Sequence, residues 1–198
     1  MRPEEILDVK GSGAYPANVL SNFYPHAFVL DGVACASMEG LLQSLKTKNT
    51  ELQKRICGLS GLEAKKIFYR KIQNLRWKIT GTLYWQGKPM RRGSDEYQRF
   101  LDRAYEEIYA GNPKFAEALI ASEGKKLIHT VGKSDSRKTV LTEYEFLSRL
   151  EKAEGTGLRL PNVNVCSAGS LVSLPQGGRL TKSEFSVRCR AYKQKFEH

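Results

Sequence analysis

Residues Ser37 to Lys46, read S-M-E-G-L-L-Q-S-L-K, decide how this chain is understood. Placed on a helix at about 100° per residue, Glu39, Gln43 and Lys46 fall within about 60° of one another. Met38, Leu41, Leu42 and Leu45 fill an adjacent arc roughly 100° wide, the width of a core-facing stripe, and Ser37 stands where an N-cap belongs. The spacing therefore predicts a helix that carries a carboxylate, an amide and an ammonium beside the core. Such a trio suits cleavage of a glycosidic bond, because a carboxyl group moves protons and a lysine stabilises charge or attacks a sugar carbonyl. A plain solvated Glu-Lys face fits the same spacing.

Upstream, Leu20-Ser21-Asn22-Phe23-Tyr24-Pro25 leads through the apolar run Phe28-Val29-Leu30 to a turn at Asp31-Gly32, so the order is loop, strand, turn, strand, helix. Downstream, Ser60-Gly61-Leu62-Glu63 has capping-box spacing and opens a helix from Leu62 to Ile72, with Asn74 expected to end it. Leu75 to Tyr84 fits helix or strand and breaks at Gln86-Gly87-Lys88-Pro89. Ser94 caps a helix over Asp95 to Tyr109, with Gly111 as its stop. Asn112-Pro113 opens Lys114 to Ser122, and Gly124 closes it. Thr142-Glu143-Tyr144-Glu145 is a second capping box, starting a helix to about Lys152. From Gly155 the pattern changes to short β-prone runs punctuated by Pro161, Pro175 and Gly177-Gly178. The expected fold is mainly α (α+β): a compact multihelical domain with short β elements over residues 1–154, then a basic β/loop extension over 155–198.

Composition bounds the function. The chain has 198 residues, 40% hydrophobic and 10% aromatic, enough for an ordinary core without metals or disulfides. No apolar run reaches the length of a membrane span or a secretory signal, so a cytoplasmic protein with no membrane partner is expected. Cys35, Cys57, Cys166 and Cys189 are scattered without a C-x-x-C pair, and three histidines leave little scope for a metal site; no metal and no cofactor are expected. The net charge of +11 and a pI near 9.5 favour a polyanionic partner, nucleic acid or a pyrophosphate ligand. In residues 155 to 198, seven basic residues oppose Glu184 and Glu197, which fits either a small β appendage on the core or a basic arm that reaches nucleic acid. There is no G-x-S-x-G elbow, P-loop, H-E-x-x-H helix or G-x-G-x-x-G, so hydrolase triads, NTPases, zincins and Rossmann dehydrogenases lose their simplest support.

Several blocks together resemble the YbiA-like, or NADAR, domain, a family named for a predicted link to NAD and ADP-ribose. They are Ser21-Asn22-Phe23, Asp31-Gly32, Ser37-x-Glu39-x-x-x-Gln43-x-x-Lys46, Trp77, and Trp85-Gln86-Gly87-Lys88-Pro89-Met90 through Ser94, Tyr97 and Phe100. Asn112-Pro113-Lys114-Phe115, His129, Gly132-Lys133-Ser134-Asp135 and Leu141-Thr142-Glu143 continue the resemblance, which covers roughly residues 18 to 152. Gly40 stands where the family commonly shows histidine. The segment after Gly132 departs from the W-G-x-G-x-x-x-G-x-N-x-L-G ending of many members, which marks a variant branch.

The resemblance implies an N-glycosidase acting on an ADP-ribose-type substrate, with DNA bearing ADP-ribosylated guanine as the partner. It also leaves open an N-glycosidase of a phosphorylated riboflavin-pathway intermediate and a non-catalytic ADP-ribose or NAD module. It implies Glu39 as the catalytic carboxylate and Lys46 as an amine that forms a Schiff base with the C1 aldehyde of an opened ribose. Gln43 is expected to orient Glu39 or a ribose hydroxyl. Ser21, Asn22, Phe23 and Trp77 are implied to face the ligand, although Phe23 and Trp77 judged alone read as core. His129 precedes a polar loop, Gly132 to Lys138, that could wrap a phosphate with Lys133, while His129 by itself reads as structural. Asp135 either braces that loop or joins the chemistry.

Overall fold

Two D-G-like turns organise the short strands. The computed structural model describes residues 4–67 and 72–155. In it, β2 (Phe28–Leu30) and β3 (Val33–Cys35) pair antiparallel through Asp31-Gly32, both at positive φ (47° and 80°), the two-residue turn that matches strand twist. A second hairpin, β4 (Thr82–Trp85) with β5 (Lys88–Arg91), turns at Gln86-Gly87 with φ of 47° and 79°. The two turns dock on each other: Trp85 Nε1 donates to Asp31 Oδ2 at 2.8 Å, and the Gln86 amide donates to the Asp31 carbonyl at 2.8 Å. A third pair, β1 (Ile6–Asp8) and β6 (Lys126–Ile128), is parallel.

The helices are α1 (Ala17–Leu20), α2 (Met38–Ser44), α3 (Thr50–Cys57), α4 (Gly61–Ile67), α5 (Ile72–Thr80), α6 (Asp95–Gly111), α7 (Pro113–Ile120) and α8 (Glu143–Gly155). The architecture is therefore α+β and mainly helical, as the sequence pattern predicts. On α2, Ser37 Oγ accepts the Gly40 N–H at 3.1 Å, and Met38, Leu41, Leu42 and Leu45 are all buried. The C-terminal carbonyls of α2 are satisfied from outside it. Buried Gln53 on α3 donates to the Ser44 and Thr47 carbonyls and to Tyr84 of β4, locking α2 against a helix and a hairpin. Both capping boxes form reciprocally: the Ser60 N–H reaches Glu63 at 3.1 Å, and the Thr142 N–H reaches Glu145 at 2.7 Å.

Gly40 has a packing reason. A Cβ there would stand 3.0 Å from the Cys57 carbonyl and 3.2 Å from those of Ile56 and Leu59, so a histidine would push α2 off the end of α3. The long helix α6 buries Tyr97, Phe100, Leu101, Ala104, Tyr105 and Ile108 along one stripe, and α8 adds Phe146 and Leu150 to the same core.

Several expectations are corrected. Asn74 does not end a helix; it lies inside α5, and the ambiguous stretch 75–84 divides into helix, Gly81 at φ +63°, and strand. Gly111 is the last residue of α6 rather than a stop beyond it. The helix expected over Leu62 to Ile72 is seen as α4, beginning one residue earlier at Gly61 and followed to Ile67. The extension expected beyond residue 155, with Cys166 and Cys189, lies outside the described residues. No helix among the described residues is long and apolar enough to cross a membrane.

Candidate active site

The first turn of α2 is tied to the loop before the hairpin. The Glu39 N–H donates to the Asn22 carbonyl at 2.9 Å, which brings Ser21-Asn22-Phe23 against Glu39. Asn22 is held from its other side by the Tyr105 hydroxyl, 2.7 Å from Oδ1. Phe23 is pressed into place by Gly61, where a Cβ would lie 2.6 Å from Phe23 Cα; only glycine allows that approach. Lys65 then covers the Phe23 ring, with Nζ 4.7 Å from its centroid.

Along α2 a chain of polar groups runs beside the core. Gln43 Nε2 donates to Glu39 Oε1 at 2.8 Å, and Lys46 Nζ donates to Gln43 Oε1 at 2.7 Å. Lys46 Nζ also donates to Asn74 Oδ1 at 3.0 Å, and the same oxygen accepts from Trp77 Nε1 at 3.1 Å. Lys46 lies 5.8 Å from the centroid of the Trp77 ring. Glu39 is 8% exposed and Trp77 only 3%, so both face a cleft rather than open solvent. Among the described residues Glu39 Oε2 takes no hydrogen bond, which leaves one carboxylate oxygen for a ligand.

Lys46 is not paired directly with Glu39. Its two partners are neutral amide oxygens, and burial therefore dominates: the ammonium is lowered to about 8, with the Glu39 charge opposing and Lys78, Lys65 and Lys133 adding to the effect. About a tenth of the side chain is then free amine near pH 7, far more than for an ordinary lysine.

The cleft has a volume of about 460 Å³, within the range of small-molecule sites. Its other wall is the stretch after β6. His129 Nδ1 donates to the Val9 carbonyl at 2.5 Å, and its ring packs edge-on against Phe146 with centroids 5.0 Å apart. Gly132 folds tightly over it, since a Cβ would come within 2.6 Å of the imidazole. Ser21, Asn22, Phe23, Glu39, Gln43, Lys46, Trp77, His129 and Lys133 all line the cleft; Asp135 does not. Asp135 instead accepts from the Arg137 backbone N–H at 2.9 Å and from its guanidinium, which together hold its carboxyl below the usual carboxylate range. The structure gives it the bracing place and not one beside the other site residues.

Asn74, Lys65, Lys78 and Lys138 also line the cleft, and the sequence reading passed over them. Asn74 stands three residues before Trp77, a spacing that shares a helix face, but it carries that signal only once the stretch is known to be helical. With Lys46 and Lys133 these lysines make five ammonium groups around one carboxylate, Glu39. Such a lining favours a ligand bearing more than one negative charge. Among the described residues no group of acidic, histidine or cysteine side chains could hold a metal ion.

The loop wall is anchored by a buried ion pair. Arg92 meets Glu145 bidentately, at 2.8 and 2.5 Å, and its Nε donates to the Thr139 carbonyl at 3.0 Å. Burial would raise the Glu145 carboxyl, but Arg92, the Thr142 N–H and Gln98 together hold it at about 2. The Tyr97 hydroxyl donates to the Val140 carbonyl, fastening the next residue of the same loop to α6.

Comparison with known proteins places the chain in a family. The NMR structure of YbiA from E. coli, a member of the family that the sequence resembles, is similar at a TM-score of 0.49 and 12% identity, over 80% of this chain and 90% of that one. An uncharacterised 17.1 kDa protein from the Gp30-rIII intergenic region of Enterobacteria phage T4 is 39% identical over 147 residues, 73% of this chain and 93% of the relative. The model of the bacteriophage protein GP30.3 family matches residues 14–154, and the chain belongs to that family.

Proposed function

We propose that the chain is an N-glycosidase that removes ADP-ribose from ADP-ribosylated guanine in nucleic acid. The observation that carries this reading is the Glu39-Gln43-Lys46-Asn74 chain on the wall of a lysine-rich cleft: a free carboxylate oxygen and an amine lowered to about 8, held a short distance apart by a neutral amide. Binding alone does not call for an amine freed of its proton. The five lysines suit the two phosphates of ADP-ribose, and the Trp77 and Phe23 rings suit a base or a ribose face.

In this reading the bond between C1 and the ring oxygen breaks, the oxygen keeps the electron pair and takes a proton from water, and the lone pair of the base nitrogen makes C1 an iminium carbon. The neutral Lys46 amine adds to C1, and its proton passes to Glu39. The base nitrogen then departs with the electron pair of the C1–N bond and takes that proton back from Glu39. Water hydrolyses the Lys46–C1 Schiff base, which returns the amine and releases ADP-ribose. Gln43 keeps Glu39 and Lys46 from collapsing into a direct ion pair that would leave the lysine protonated.

The test is to incubate the full chain with ADP-ribosylated DNA, free NAD and a phosphorylated riboflavin-pathway intermediate, and to identify products by mass spectrometry. ADP-ribose and restored guanine from the DNA are expected. Cleavage confined to the riboflavin intermediate would replace the substrate, and tight ADP-ribose binding with no cleavage of any substrate would make the chain a binding module.

A further inference from the structure

Beside the cleft, and sharing Trp77 with it, lies a second cavity of about 410 Å³. Trp77 and Lys78 line both cavities, so the two adjoin at these residues. The second cavity has four cationic side chains, Lys78, Arg91, Arg92 and Arg137, and no carboxylate among its lining residues. Arg92 forms its floor and is already engaged by Glu145. Arg137 shares Asp135 but keeps most of its side chain in solvent. Lys78 and Arg91 are exposed and have no acidic partner among the described residues.

We propose that this groove holds the phosphodiester backbone of a single nucleic-acid strand, one nucleotide of which enters the neighbouring cleft. The inference rests on the glycosidase reading for what enters the cleft, but the groove itself is argued from its own lining. A free dinucleotide is already accommodated by the five lysines of the first cavity; the solvent-exposed Arg91 and Arg137, which lie outside that cavity, have a role when the substrate continues past the modified nucleotide. Exposed lysine and arginine contacts to phosphate are independent of sequence.

The experiment uses the full chain, a fluorescent unmodified oligothymidylate of roughly twelve nucleotides and, separately, ADP-ribose. Binding of the oligonucleotide is measured by anisotropy across a salt series. In Arg91→Ala/Arg137→Ala the slope of log affinity against log salt should fall by about 1.4, two contacts at about 0.7 each, while ADP-ribose affinity stays within about twofold. A control double variant, Lys48→Ala/Lys114→Ala, removes the same charge away from both cavities and should leave the slope nearly unchanged. Ser136→Glu, which adds a carboxylate to the groove without deleting a cation, should weaken the oligonucleotide and spare ADP-ribose. An unchanged slope in the groove variant of a protein with normal melting, an equal loss in the control, or no oligonucleotide binding by the parent chain would each overturn the proposal. Loss of ADP-ribose binding or turnover with strand binding intact would instead strike the glycosidase reading and leave the groove standing.

Discussion

The helical wall of the cleft, with Glu39, Gln43 and Lys46, and the loop wall, residues 129–142, border the same space but are fixed by different means. On α2 the polar groups are spaced by the helix itself, and the buried stripe Met38, Leu41, Leu42 and Leu45 holds them in register. The loop has no such repeat. It is held by single long-range contacts: Arg92 to Glu145 and Thr139, Tyr97 to Val140, and His129 to Val9. Under the proposed function, chemistry is carried by the wall whose geometry is redundant, and ligand enclosure by the wall that depends on a few buried bonds. Substitutions on the first wall should alter rate with little loss of stability; substitutions behind the second should do the reverse.

The largest effect is expected at Glu39. Glu39→Gln keeps the shape and the hydrogen bond to Gln43 but removes proton transfer, so single-turnover cleavage should fall by roughly 10² to 10⁴-fold with melting nearly unchanged. Near-normal cleavage by the folded variant would break the division between the two walls.

Next comes the anchor. Arg92→Met leaves Glu145 as a buried carboxylate without its main partner, and a loss of about 3–5 kcal/mol is expected in denaturant unfolding. The pair also sets an acid limb. Glu145 is held at about 2, below its ordinary value, so its contribution is complete above the unfolded carboxylate range and is lost as pH falls towards 2. Glu145→Gln should flatten that limb. If Arg92→Met melts like the parent, the loop wall is not held as described.

A subtler change sharpens the helical wall. Asn74→Asp replaces a neutral acceptor of Lys46 by a charged one, which should raise the ammonium from about 8 towards its ordinary value. Because the amine form attacks, the rate rises with pH up to that value. The ascending limb of kcat/KM should therefore move up by at least about one unit in the variant, with roughly tenfold less activity near pH 7. A pH profile that does not move would show that Asn74 has no positioning role towards Lys46. The smallest effect belongs to Asp135→Asn, which loosens an exposed brace outside the cleft; turnover should stay within about twofold.

The contrast also explains what was legible in the sequence. The α2 face could be read because three polar residues and four apolar ones obey one period, and the capping boxes at Ser60 and Thr142 announce their helices within four residues. Asn74 could not be read, since Leu75 to Tyr84 contains a helix end, Gly81 and a strand within ten residues and its apolar side chains fit either period. The parallel pair β1–β6 joins residues 120 apart over only three positions each, and nothing local encodes the match. Arg92 and Glu145 are partners 53 residues apart whose pairing follows from the fold. The second cavity needed Lys78, Arg91 and Arg137 to be brought together from three separate elements.

The central claim is that Glu39 and Lys46 cleave a ribosyl bond, with Lys46 as the covalent amine. It is tested most directly by adding cyanoborohydride during turnover of an ADP-ribosylated oligonucleotide and mapping the modified peptide by mass spectrometry. The account predicts a reduced ADP-ribose adduct on Lys46, absent in Lys46→Arg, which should also lose turnover. Cleavage without any adduct on Lys46, together with full activity of Lys46→Arg, would contradict it.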